Sequence, residues 1–262
     1  MSPIIHFSKI FPDADAAELI RRAEITGTEG YDLVVRPGYA INPDNVENLP
    51  TFVKTLRDAN LAVPMITAPS DFVSSNNDLA PRFLKAMTEA EVPLIKLGYF
   101  KFDPHRDYWE AVDEARRAFA GWEKLAREYN VTVCYHTHSG PCLGQNASAL
   151  AHLIHGFDPQ YIGGYLDPCH LRLCGEEFPF AAAVIGEQLK IVSLKDVTAP
   201  PRQLVPAGEG HVKWDEVFGV LAARNFDGPL TVHTEFELPE GEAALPLVAE
   251  EISYFKKLRD DR

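Results

Sequence analysis

Short apolar runs alternate with amphipathic segments along the whole chain. Eight runs read as strands: Ile4–Phe7, Tyr31–Val35, Ala62–Thr67, Leu94–Tyr99, Val131–His136, Ile162–Asp167, Lys190–Leu194 and Leu230–Thr234. Eight segments with helical spacing lie between and after them. The clearest is Asp107–Asn130, where Tyr108, Val112, Ala115, Phe119, Trp122, Ala126 and Tyr129 line one helix face. Trp214, Val217, Phe218 and Leu221 make a second stripe, ended by Asn225 and the Asp227–Gly228 turn. Leu245, Val248, Ile252 and Phe255 predict a closing helix, and Asp15 with Glu18 has capping-box spacing at the first. The strands are near-continuous apolar runs, as a parallel sheet covered on both faces requires. Eight strands with eight helices is the arithmetic of a single-domain (β/α)8 barrel, residues 1–262, with an open doubly wound sheet as the alternative.

Composition narrows the field. The 262 residues are 46% hydrophobic and 24% charged, as in a globular protein, and no apolar run approaches a membrane span of about 20 residues. The opening stretch MSPIIHFSKIFPDAD lacks the basic and apolar regions of a signal peptide. Lys+Arg 25 against Asp+Glu 38 gives a net charge of −13, which argues against nucleic acid and anionic membranes as partners. Cys134, Cys142, Cys169 and Cys174 show no CxxC spacing, so they read as reduced thiols of a cytoplasmic protein.

In such a barrel the C-terminal strand ends carry the chemistry. Four consecutive ends are polar: Tyr135-His136-Thr137-His138, Leu166-Asp167-Pro168-Cys169-His170, Ser193-Leu194-Lys195-Asp196 and His233-Thr234-Glu235-Phe236-Glu237. Alternation puts His136 with His138, and His233 with Glu235, on one face. Converging imidazoles and carboxylates suit a divalent metal or an acid–base cluster. The isolated His6, His105, His152, His155 and His211 read as ordinary polar residues. Arg36, Lys101 and Arg172 follow strands and can reach an anionic group or serve as surface ion-pair partners. Tyr39, Phe72, Tyr99, Phe100 and Phe102 fall on expected loops at the same mouth and suit the apolar face of a sugar ring. With no glycine-rich phosphate loop, an unphosphorylated sugar or polyol is expected.

The chain resembles the sugar phosphate isomerase/epimerase superfamily, the xylose-isomerase-like TIM barrels. The likeness begins at AELIRRAEITGTEGYDLVVRPG and continues through YLDPCH and IVSLKDV. PAGEGHVKWDEVFGVLAARNFDGPL is its most specific part. It implies one divalent cation held by Glu, Asp, His and Glu from strands five to eight, and an enediolate formed on a hydroxy-ketone or hydroxy-aldehyde. Carried over, Asp167 matches the aspartate and His170 a histidine that contacts substrate or metal. His136 replaces a glutamate, His138 is retained, Ser193 replaces the ligand histidine, and His233 aligns with the last glutamate. The implied ligand set is His136, Asp167 and His233 with His170 or Glu235, for Zn, Mn or Fe, without an organic cofactor. His138, Glu235 and Lys195 are the expected catalytic residues. Arg36, His170, Arg172 and Tyr99 are the expected substrate contacts. The implied activity is a metal-dependent isomerase or epimerase on a sugar, keto-sugar or polyol, in a possible homodimer. The alternatives are a dehydratase or lyase on a keto-sugar or inosose, and a non-catalytic sugar-binding barrel. An apurinic endonuclease is disfavoured, because strands three and four end without histidines.

Overall fold

The computed structural model describes residues 2–12 and 14–262, so Met1 and Asp13 of the opening stretch lie outside the described residues. Eight parallel strands close into a barrel in sequential order, with the eighth hydrogen-bonded to the first through Ile4 opposite Leu230. They are Ile4–Phe7, Gly30–Val34, Ala62–Thr67, Leu94–Lys96, Thr132–His136, Ile162–Leu166, Leu189–Leu194 and Leu230–Val232. The expected strands are all present, several ending one to three residues earlier than expected.

Two apolar layers hold the fold. Inside the barrel, Ile5, Met65, Cys134 and Ile191 come from the odd strands and pack with Tyr165, the layered filling such barrels use. Outside it, the strands' other faces meet the helices in one continuous core. Helix α1, Ala16–Thr26, starts where the Asp15 carboxylate accepts from the Glu18 amide at 2.8 Å. Helix α4, Tyr108–Tyr129, is capped by Asp107 and buries Val112, Ala115, Phe119, Trp122 and Ala126 against the strands.

Two elements were not legible in the apolar pattern. Nine α-helices, not eight, lie among the described residues. The extra one is Pro168–Leu173, a turn and a half nucleated by Asp167, whose carboxylate accepts from the His170 amide at 3.1 Å. It is too short to show a period. The second element is an antiparallel hairpin after the seventh strand, Asp196–Thr198 with Gln203–Val205. No helix among the described residues is long and apolar enough to cross a membrane.

Candidate functional site

The mouth of the barrel holds a pocket of about 130 Å³ lined by residues from the strand ends, Lys195, His136, His138, His233 and Glu235 among them. Lys195 is its centre. From the end of the seventh strand its ammonium lies 3.1 Å from Asp167 Oδ2, 2.9 Å from Glu235 Oε2 and 3.1 Å from His170 Nε2. Lys9 pairs with the other oxygen of Glu235. Burial disfavours charge on Lys195, but Asp167 and Glu235 outweigh it and hold the amine well above its usual range. Burial would likewise raise both carboxyls. For Asp167 the charge of Lys195, and for Glu235 His233 followed by Lys195, keep them far below the ordinary carboxylate range. The group is therefore a locked ammonium–dicarboxylate network at neutral pH.

Around it the histidines are neutral. Tyr99 OH lies 3.0 Å from His136 Nδ1, and Tyr165 OH 2.9 Å from His233 Nε2, while Phe7 stacks on the His233 ring at 4.4 Å. His138 Nδ1 accepts from the Gly140 amide at 3.0 Å, so the neutral ring carries its proton on Nε2. Burial lowers His6 and His170 to about 3 and His138 to about 4, and depresses His136 and His233 as well.

These shifts set an expected acid response. The unfolded chain protonates its histidines below about pH 6.5 while the folded one resists, so their contribution is present above that pH and lost as pH falls toward 4. Asp32 and Glu251 work the other way: burial raises each to about 7, so protonation of the folded form favours folding as pH falls from 7. Five rings outnumber two carboxylates. The melting temperature should therefore drop by several degrees between pH 7 and pH 4.5; a flat or rising melt across that interval contradicts the assignment.

The expected metal ligands are brought together, yet they do not make a cation site. Among the described residues no group of three or more His, Cys, Asp or Glu side chains is arranged to hold a metal ion. Of the expected ligands, His136 Nε2 and Asp167 Oδ2 are buried without hydrogen bonds, and these lie 3.3 Å apart. His233 Nε2 is engaged by Tyr165, and His170 Nε2 faces Lys195. Ser193, where the resemblance expects a histidine, buries an unpaired hydroxyl. A dication 4 Å from an ammonium is opposed by roughly 8 kcal/mol at an effective dielectric of about 20. The set His136, Asp167, His233 and His170 thus does not fit the metal, because Lys195 already supplies the positive charge between the carboxylates.

Other expectations sort clearly. Arg36 and Tyr99 line the pocket. Arg172 does not: it sits on the short Pro168–Leu173 helix and pairs with Glu177 at 2.9 Å. Phe72 is buried against Phe83 and Trp122 rather than at the mouth. His6 is a buried polar residue with Nε2 3.1 Å from Thr234 Oγ1, and it does not line the pocket. The chain reading missed Lys9, Lys96 and Tyr165. For Lys96 the signal was present, a lysine inside the apolar run Leu94-Ile95-Lys96-Leu97, since lysine is almost never fully buried unless paired.

The chain belongs to the xylose isomerase-like TIM barrel family, whose model matches residues 18–258. Its fold is shared with an Escherichia coli 3-keto-D-glucoside 4-epimerase in the apo form, TM-score 0.77 at 14% identity, covering 98% of this chain and 100% of that one. A probable 3-DHS dehydratase of Bacillus anthracis matches with TM-score 0.70 at 16% identity, covering 98% and 99%. In sequence, an inosose dehydratase of Bacillus anthracis is 28% identical over 129 residues, 43% of this chain and 43% of that protein. The match thus spans less than half the length of that relative.

Proposed function

We propose that the protein enolises an α-hydroxy ketone or keto-sugar as an isomerase or epimerase of the cytoplasm, where its four free thiols stay reduced. The observation that carries this reading is the ammonium of Lys195, fixed between Asp167 and Glu235 on the pocket wall. A fixed positive charge in a confined, water-poor site stabilises the negative charge of an enediolate without reorganisation. Lys195 and the Nε2–H of His138 face the substrate oxygens as donors. Glu235 takes the C–H proton while the bonding pair moves onto the carbonyl oxygen. As charge develops beside Lys195, its hold on Glu235 weakens and the carboxylate becomes the stronger base. Return of the proton by Glu235 to the adjacent carbon gives an isomer; an epimer forms when water delivers a proton to the opposite face and Glu235 releases its own to solvent.

The likeness to inosose dehydratases favours a second outcome. The same enediolate expels a β-hydroxyl, which leaves as water once protonated.

The test is deuterium uptake from D2O at the carbons flanking the carbonyl, followed by NMR. The panel is D-tagatose, D-fructose, 2-keto-myo-inositol, 5-keto-D-gluconate and D-fructose 6-phosphate, with protein dialysed against EDTA. Exchange is expected without added metal, falling about 10²–10⁴-fold in Glu235→Gln, the range for loss of a general base. His138→Ala should lose about 10–10²-fold, somewhat less than removal of a principal oxyanion donor. No exchange on any panel member, or full exchange in both variants, refutes enolisation by these groups. Exchange only with added Mn2+ or Zn2+ refutes the role given to Lys195.

A further inference from the structure

The pocket is cationic in an anionic protein. Its lining carries Lys9, Arg36, Lys96 and Lys195 against one carboxylate, Glu235, although the chain as a whole has a net charge of −13. Lys9 and Lys195 are accounted for by Glu235 and Asp167. The other two cations, from the ends of the second and fourth strands, are not.

Lys96 is only 4% exposed. Its ammonium rests over the Tyr99 ring, 3.8 Å from the centroid, and no carboxylate of the described residues lies within ion-pair distance. Asp32, the acid nearest in the fold, is tied up by Thr67, whose hydroxyl donates to it at 2.9 Å. Arg36 spends Nε on the Ala68 carbonyl at 3.0 Å, leaving its terminal nitrogens without a partner among the described residues. A buried cation lacking a counter-ion costs several kcal/mol, and a cation–π contact returns only about 2 kcal/mol.

We propose that Lys96 and Arg36 form a subsite for an anionic oxygen group of the substrate, a carboxylate or a phosphate ester. The molecule enolised is then a sugar acid or sugar phosphate rather than a neutral polyol. This rests on the enolisation reading and adds the substrate class to it. The fourth strand lies across the eight-membered ring from the eighth, so the anion is held on the side away from Glu235 and the reacting carbon is presented to Lys195. Burial, then Arg36, lowers the Lys96 amine to about 7. An anion at the subsite restores its charge, so binding takes up a proton.

The test is an NMR titration of isotopically labelled protein at pH 7 with D-gluconate, inorganic phosphate and the neutral D-glucitol. An anion is expected to bind at least tenfold tighter than D-glucitol, shifting the amides of Arg36, Lys96 and Tyr99. Tighter gluconate assigns the subsite to a carboxylate, and tighter phosphate assigns it to a phosphate ester. Lys96→Met, a volume-matched change that removes an unpaired charge, should weaken the preferred anion tenfold or more, and Arg36→Gln should do so independently. Binding of neither anion, D-glucitol binding as tightly as both, or unchanged affinity in both variants overturns the proposal. The two readings separate cleanly. Anion binding without proton exchange in any ketose counts against enolisation and leaves the subsite standing; exchange of ketoses with no binding of either anion does the reverse.

Discussion

Lys195→Met is expected to lower proton exchange by about 10²–10³-fold, the scale on which fixed electrostatic stabilisation of a developing oxyanion acts. Met matches the length of the lysine stem but carries no charge, and the donor facing the substrate oxygen disappears. The same change leaves the Asp167 carboxylate fully buried beside His136 and His170 with no cation. Breaking a buried pair on one side costs about 3–5 kcal/mol, so lost activity alone does not separate chemistry from unfolding. The double variant Lys195→Met/Asp167→Asn separates them, since it removes both charges at once. It should recover most of the melting temperature lost by the single variant and none of the exchange. Recovery of exchange in the double variant would show that Lys195 serves only to neutralise Asp167. Retention of most exchange in the single variant excludes the catalytic role outright.

Asp196→Ala should bring the largest loss of stability of any single polar change in the barrel. The carboxylate, buried at the start of the hairpin, accepts five hydrogen bonds. The amides of Val197 and Val212 donate to Oδ1 at 2.8 and 3.1 Å. Those of Gly208 and Gly210 donate to Oδ2 at 3.0 and 3.2 Å, joined by the Trp214 indole at 2.9 Å. One side chain thus fastens the loop after the seventh strand to helix α8, Trp214–Ala223. Alanine leaves those donors unsatisfied in a dry site, at about 1–3 kcal/mol for a buried group left without its partner. A net loss of about 4 kcal/mol is expected, or about 10 °C in melting temperature for a chain of this size. Asparagine does little better, because its amide group turns a donor toward other donors. The neighbourhood explains two glycines: a Cβ on Gly210 would lie 2.1 Å from Asp196 Oδ1, and Gly208 has φ +86°. A thermal melt of Asp196→Ala within 3 °C of the parent rules this account out. Because Lys195 is the adjacent residue, exchange should fall as well.

The barrel was legible in the chain because each strand and helix is written locally. Strands buried on both faces must be apolar throughout. Long helices such as Tyr108–Tyr129 must repeat their buried residues every three or four positions. The four polar strand ends could be found for the same reason, since a charged or imidazole group closing an apolar run has few structural uses. The short helix after Asp167 carried no such signal. Six residues are too few to show a period, and it exists because one carboxylate caps it. Its formation draws His170 onto Lys195 and turns Arg172 away toward Glu177.

What the sequence determined by itself was the fold and which polar side chains gather at the C-terminal mouth of the barrel. What only the tertiary structure decided was who pairs with whom there. His136, Asp167, Lys195 and Glu235 come from four different strand ends, and whether a carboxylate meets a metal or an ammonium depends on separations of about 3 Å set by how the barrel closes. Strand periodicity specifies which face a side chain takes, but not the distance across the ring to its partner. That distance puts the Lys195 ammonium between Asp167 and Glu235 and leaves Lys96 over the Tyr99 ring, with no carboxylate of the described residues within ion-pair distance.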